Sequence, residues 1–347
     1  MFLARFMRLL MLTRKVDLED ASPAGFTYTW VKKIGEKLDK LYVITWQKSD
    51  RGNLPKNIEI ISLPNSKFLK VFILQFKLLG ILPKIDGIFC HQNPEYTILA
   101  ASLAKIFRKK IVSWHTHKAV NLKLHLVNLL ADKILTASEK SCRLKNRNKI
   151  EVTGHGIDTA YFRPAVPSDS QESLVKFKII SIGRISPAKG YETLIEAVAD
   201  IENIEVKIIG GPVLKKDEEY FRRLKQSAGK IKFLGPVPHN QILSYYQNCD
   251  LFVNLSQTGS VDKAVLEAMS CQRLVLTSNE AFKDILKDER LLFEPKNPQD
   301  LAEKITNLMN ISEKERKGIG QRLRKEVVDN HNLDKLVKKI LANFNEK

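Results

Sequence analysis

Short apolar runs alternate with helical periods along the whole chain. In the first half the runs are RLLMLT, LYVITW, IEIISL, GIFCH, KIVSW and KILTA, rich in Ile, Leu and Val. Such runs read as strands buried on both faces. Amphipathic stretches such as 26–38 and 94–107 lie between several of them, which predicts β-α-β units and mainly parallel sheets. The periodicity breaks near Pro164, at RPAVPSDSQES, where Pro, Ser and Asp cluster, and a linker is expected there. Alternation then resumes, with FKIISI, EVKIIG, IKFLG, LFVNLS, LVLTS and LLFE as strands and helices at 191–199, 218–228, 241–248 and 261–270. After Asn297 the chain is almost wholly helical, and that tail could pack on either domain. The pattern predicts an α/β protein of two Rossmann-like domains, 1–165 and 174–347, the second carrying the tail. Such folds bind ligands beyond the carboxyl ends of their strands, so the expected site is a cleft where the two domains face each other.

Composition narrows this little. A length of 347 residues, 44% hydrophobic and 28% charged, suits a folded chain of two domains. The net charge of +18 admits nucleic acid, an anionic membrane surface or a polyanionic small substrate as partners. The cations are interleaved with acids, and no basic motif interleaved with aromatics is present, which argues against nucleic acid. Cys90, Cys142, Cys249 and Cys271 lack metal-ligand spacing and suggest reduced thiols of a cytoplasmic chain. The opening MFLARFMRLLML is broken by Arg5 and Arg8 and reads as a lead-in to a first strand at 8–13, not as a signal peptide. No apolar run approaches the ~18 residues of a membrane span, so any membrane contact would be peripheral, on an anionic inner face.

Two constellations carry chemistry. In SIGRISPAKG a strand ends at Ile182, and Gly183, Arg184 and Lys189 follow just before a helix. Fixed cations and backbone amides at a strand end suit a diphosphate, although two solvated surface cations would look the same. In LFVNLSQTGSVDKAVLEAMSC a buried strand runs into a polar loop and a helix expected to start near Val261. Gly259 allows close backbone approach, and Ser260 is the candidate N-cap. Glu267 lies off the apolar face of that helix, free to accept from ribose hydroxyls or simply to pair with Lys263 one turn back. Asp262 could be a first-turn acid complementing the helix dipole. Val237, in the rigid loop Gly235–Pro238, could face a planar base or merely join strand to helix. In the first half His115 closes the strand KIVSW and could orient a sugar or an acceptor. With His117 it would make a metal pair only with further ligands that the sequence does not show, so no metal is expected. Gly25, in the loop after the first strand, allows close approach or is a plain turn.

In order and spacing these segments resemble the retaining glycosyltransferases of family 4, which have the GT-B fold. GHGIDTAYFRP resembles that family's interdomain segment, GRISPAKGYETLIEA its donor-phosphate segment, FLGPVPHNQILSYYQNCDLFVNLS its base-binding loop, and LFEPKNPQDLAEKI its late strand and helix. The resemblance implies transfer of a hexose from a UDP- or GDP-linked donor to a glycan or lipid-linked acceptor, with no cofactor. It places Arg184, Lys189 and His115 at the catalytic centre, and Gly183, Val237, Gly259, Ser260, Asp262, Lys263 and Glu267 on the donor. Gly25 falls in the acceptor-side loop. The family usually has a Glu eight residues before the position of Glu267; here that residue is Gly259, and Asp262 is the candidate substitute carboxylate. A GT-B epimerase, a phosphorylase and a non-catalytic sugar-nucleotide module are the alternatives.

Overall fold

The computed structural model describes residues 7–22, 24–166, 176–257 and 259–345. The lead-in at 1–6, most of the expected linker (167–175) and Thr258 lie outside the described residues. The chain forms two compact units, one of 1–20, 24–156 and 333–347, the other of 21–23 and 157–332.

The first unit is built from β1 (Arg8–Thr13), α1 (Thr27–Gly35), β2 (Lys40–Thr45), β3 (Ile58–Ser62), α2 (Lys67–Ile81), β4 (Gly87–His91), α3 (Pro94–Ile106), β5 (Lys110–Trp114), α4 (Leu122–Leu130), β6 (Lys133–Thr136) and β7 (Ile150–Val152). Its seven strands are parallel, in the order β3-β2-β1-β4-β5-β6-β7. Successive residues of a strand point to opposite faces, so the unbroken apolar runs feed two cores. Leu9 and Met11 of β1 enter one core with α1, while Leu10 and Leu12 enter the other with α2, α3 and α4.

The second unit contains β8 (Phe177–Ile182), α5 (Tyr191–Ala197), β9 (Ile204–Ile209), α6 (Lys215–Gln226), β10 (Ile231–Gly235), α7 (Leu243–Gln247), β11 (Leu251–Asn254), α8 (Lys263–Ser270), β12 (Leu274–Thr277), α9 (Lys283–Leu286), α10 (Pro298–Met309) and α11 (Glu313–Asn330). Its parallel strands run β10-β9-β8-β11-β12. The strand order therefore reverses between β8 and β11, which sets their carboxyl ends side by side.

Three features depart from the sequence pattern. The run LLFE is not a strand: Glu289–Leu291 is a single 3-10 turn, and Leu292 makes only an isolated bridge to Thr277. The division between units falls at Gly156/Ile157 rather than at 165/174. The last helix, α12 (Leu333–Asn345), belongs to the first unit and not to the domain that precedes it. Its sequence explains this. Leu333, Leu336, Val337, Ile340 and Phe344 fall on one helical face, and that stripe packs against Trp30, Val31 and Ile34. Among the described residues, α1 and α12 are the helices that contribute to this core.

Ile340→Ala should destabilise the first unit by about 2–5 kcal/mol. Trp30, Trp46 and Trp114 are the chain's three tryptophans and all lie in that unit, so urea denaturation followed by tryptophan fluorescence reads it. An unchanged midpoint would show that α12 is dispensable.

Candidate active site

At the end of β8 the chain turns through Gly183, whose N–H donates to Ile209 O at 3.0 Å. Gly210 lies next to it with φ +134°, and a Cβ there would sit 1.9 Å from Gly183 O. Two strand ends thus meet backbone to backbone, with the Tyr191 hydroxyl and the Lys189 side chain beside Gly183. Arg184 follows, half-buried, and among the described residues its guanidinium makes no hydrogen bond or ion pair. A short turn, Pro187–Lys189, closed by the left-handed Gly190, delivers Lys189 before α5.

Lys189 Nζ lies 3.1 Å from Asp262 Oδ1, both side chains about one-fifth exposed at 19% and 20%. The two sequence constellations, 73 residues apart, therefore meet at the reversal of strand order. Buried Asn279, just past β12, fixes the far side: its Nδ2 donates to Asp262 Oδ2 at 3.1 Å and to Ser260 O at 2.8 Å.

The helix start differs from expectation. α8 begins at Lys263, and Asp262 occupies the N-cap position in extended conformation without a side-chain cap bond. Ser260 is not the cap. Gly259 is buried and left-handed (φ +64°), and the Ser260 carbonyl accepts from Asn279 Nδ2.

Glu267 is not a surface residue paired to Lys263. It is 6% exposed, accepts from His239 Nε2 at 2.9 Å and from the Tyr246 hydroxyl at 2.8 Å. Phe162 packs edge-on against both donor rings. Val237 is half-buried against the core of this unit. His239, Tyr246 and Asn279 escaped the sequence reading. His239 directly follows Pro238 of the loop 235–238, and Asn279 lies just past the carboxyl end of β12, positions that were themselves a signal.

In the first unit His115 directly follows β5, is buried, and its Nε2–H donates to the His117 carbonyl at 3.1 Å. Burial lowers its pKa, so the ring is neutral at pH 7. Gly25 is buried in the turn that leads into α1. A second histidine, His91, ends β4 beside β1; its Nδ1 lies 3.0 Å from Thr13 Oγ1 and its ring packs among Phe26, Trp30 and Phe89. It carries the same signal as His115, a histidine closing an apolar strand. Among the described residues no cluster of three His, Cys, Asp or Glu is disposed to hold a metal ion.

Residues 163–326 match the family model described as Glycosyl transferases group 1. That stretch is similar to a group 1 glycosyltransferase domain. An uncharacterized glycosyltransferase of Methanocaldococcus jannaschii is 32% identical over 144 residues, 40% of each chain. A phosphatidylinositol N-acetylglucosaminyltransferase component from Arabidopsis thaliana is 27% identical over 47% of this chain and 37% of its own length. The alignments thus span about 40% of the curated relatives' length. Among solved structures, HepE of Anabaena in complex with UDP superposes with a TM-score of 0.79 at 18% identity, covering 98% of this chain and 100% of its own. Sucrose-phosphate synthase of Thermosynechococcus elongatus gives 0.75 at 15%, covering 98% of both. These likenesses show the fold: two parallel-sheet Rossmann-like units, as in GT-B glycosyltransferases.

The buried charge of Glu267 is balanced by its neighbours. Burial pushes Glu267 up, but His239, Tyr246 and Lys263 together hold it below the usual carboxylate range. Burial pushes Lys263 down to about 7, and Glu267 one turn on opposes that. Because the folded pKa of Glu267 is depressed, its stabilisation is full above the unfolded value of about 4.3 and is lost as the pH falls through the folded one.

Tyr246→Phe removes one donor from this buried carboxylate and should destabilise the second unit by about 1.5–3 kcal/mol at pH 7, with a smaller effect once Glu267 is protonated. Urea titrations by circular dichroism at neutral and acid pH check this; equal effects at both would show that Glu267 is not the partner that matters.

Proposed function

We propose that the protein transfers a hexose from a UDP-linked donor to an acceptor hydroxyl with retention at the anomeric carbon. The observation that carries the proposal is the meeting of Lys189 and Asp262 beside the closely packed strand ends of Gly183 and Gly210, within the stretch that matches the group 1 glycosyltransferase model. A leaving diphosphate develops negative charge, and preorganised donors stabilise it. Arg184 supplies a fork that no protein carboxylate among the described residues engages. Lys189 supplies a point charge that Asp262 keeps aimed. Gly183, Gly259 and Ser260 let backbone approach the phosphates, and the start of α8 adds the positive end of a helix dipole.

Asp262 already serves Lys189 and Asn279 through one oxygen each, which makes it first a positioning residue, with a lone pair left for a sugar hydroxyl. Glu267 likewise keeps acceptor capacity for ribose after His239 and Tyr246 are served. Val237 would flank the base. Uracil is favoured over guanine by the complexes of HepE with UDP and with UDP-glucose. His115, neutral and oriented by His117, would position the sugar or acceptor, with Gly25 on the acceptor side. The C1–phosphate bond breaks, the acceptor oxygen bonds C1 on the same face, and its proton passes to the departing phosphate. The curated relatives named for phosphatidylinositol and inositol 3-phosphate favour a polyol-bearing or lipid-linked acceptor.

Lys189→Ala should lower kcat by roughly a hundredfold or more. Asp262→Asn should lose a comparable factor, and the double variant little more than either, because the two act as a unit. Steady-state rates with UDP-glucose and an acceptor panel, on variants whose circular dichroism is unchanged, test this. Wild-type rates in Lys189→Ala would overturn it, and donor conversion without acceptor would favour an epimerase.

A bound diphosphate favours protonated Lys263. UDP-glucose should therefore bind most tightly below pH 7 and more weakly as the pH rises above it, and Lys263→Met should flatten that dependence. Thermal-shift titrations from pH 6 to 8.5 read the effect; a parallel slope in both proteins excludes Lys263 from the donor site.

A further inference from the structure

Helix α2 is apolar on both of its faces. Leu74, Leu78 and Ile81 pack into the core under the sheet. On the opposite arc Phe68, Phe72 and Phe76 repeat at i, i+4 and i+8, at 92%, 73% and 68% exposure, and Leu69 and Leu79 flank them. A helix that is hydrophobic all round is ordinarily buried all round. This one leaves three phenylalanine side chains in water, a contiguous patch beyond the scattered exposed residues of ordinary surfaces. The helices that share its core also expose apolar residues, Ile106 ending α3 and Leu122 and Leu129 along α4, each at least two-thirds exposed.

The charge around the patch says what covers it. Residues 64–130, which carry α2, α3 and α4, hold ten Lys and Arg against two acids, Asp86 and Glu95. One of those acids is already paired, Glu95 with Lys123. Lys77, Lys105 and Lys109 lie on the same helices or their ends, next to the apolar arc. An apolar stripe bordered by cations matches an anionic bilayer surface, where the rings enter the headgroup boundary and the lysines meet the lipid phosphates. A self-association face bordered by like charges would instead set cation against cation. Among the described residues no helix is long and apolar enough to cross a membrane, so the contact would be interfacial.

We infer that α2, with the adjoining ends of α3 and α4, is a docking face that inserts Phe68, Phe72 and Phe76 into an anionic lipid leaflet. This stands independently of the transfer chemistry, because none of these residues belongs to the candidate active site.

The test is vesicle co-sedimentation of the full chain with phosphatidylcholine, with and without about one-third phosphatidylglycerol. The wild type should partition at least about tenfold more strongly onto the anionic vesicles, and salt should weaken that binding. The triple variant F68Q/F72Q/F76Q should lose at least another factor of about ten while keeping the wild-type thermal shift with UDP-glucose. Equal vesicle binding by the variant and the wild type would overturn the inference. So would a wild type that ignores vesicles and dimerises on size-exclusion chromatography with light scattering while the variant is monomeric, since the face would then belong to a second copy. Loss of donor binding in Lys189→Ala with vesicle binding intact separates this test from that of the proposed function.

Discussion

The contact between Lys189 and Asp262 depends on strand order. In a parallel sheet ordered β10-β9-β8-β11-β12, β8 and β11 are neighbours although two β-strands and three α-helices separate them in sequence. Each is followed by a turn that projects one charge past the sheet. Only because the order reverses at this pair do the two charges meet at 3.1 Å. A pair one-fifth exposed is worth on the order of 1 kcal/mol at most to the fold. Its importance lies in geometry: it holds a flexible lysine beside the glycine strand ends. Asn279 does the same for the opposite oxygen and is itself anchored through backbone at Ala281.

The strands were legible because a parallel sheet demands the same thing of every strand, an apolar residue at nearly every position. RLLMLT, GIFCH, FKIISI and LFVNLS meet that demand and all are strands. LLFE meets it too, yet ends as a turn against the core, because a short apolar run records burial and not pairing. Helix α2 hid for the converse reason. Its sequence KFLKVFILQFKLLGI lacks the polar face that marks a surface helix, since both arcs are apolar. The domain division at Gly156/Ile157 was obscured because Pro- and Ser-rich composition marks a loop, not where packing changes partner.

At the site, spacing located the cationic turn and the polar loop but not their partners. Nothing local to Glu267 shows that His239 and Tyr246, 28 and 21 residues away, will supply its hydrogen bonds. The helical wheel placed Glu267 off the core stripe and so suggested exposure. In the structure that side of α8 faces the short helix α7, whose Tyr246 is fully buried. A carboxylate can occupy such a place only when donors are built around it. Propensity favours serine as a cap, but α8 starts at Lys263, which puts Asp262 and not Ser260 at the N-cap position.

The first unit's sheet is covered unequally. One face is closed by α1 and by α12, which the chain supplies after completing the whole second unit. Its stripe of Leu336, Val337, Ile340 and Phe344 is buried in full, and its outward side carries Lys335, Lys338 and Lys339. The other face is closed by α2, α3 and α4, and there the outward side of α2 is phenylalanine and leucine. Both helices bury an apolar stripe against the same sheet, so packing cannot account for the difference in their outer surfaces. Solubility disfavours the second arrangement, and the fold would be equally well closed by a helix with lysines at 68, 72 and 76. What distinguishes the two faces must therefore lie outside the unit, in whatever the exposed rings of α2 meet.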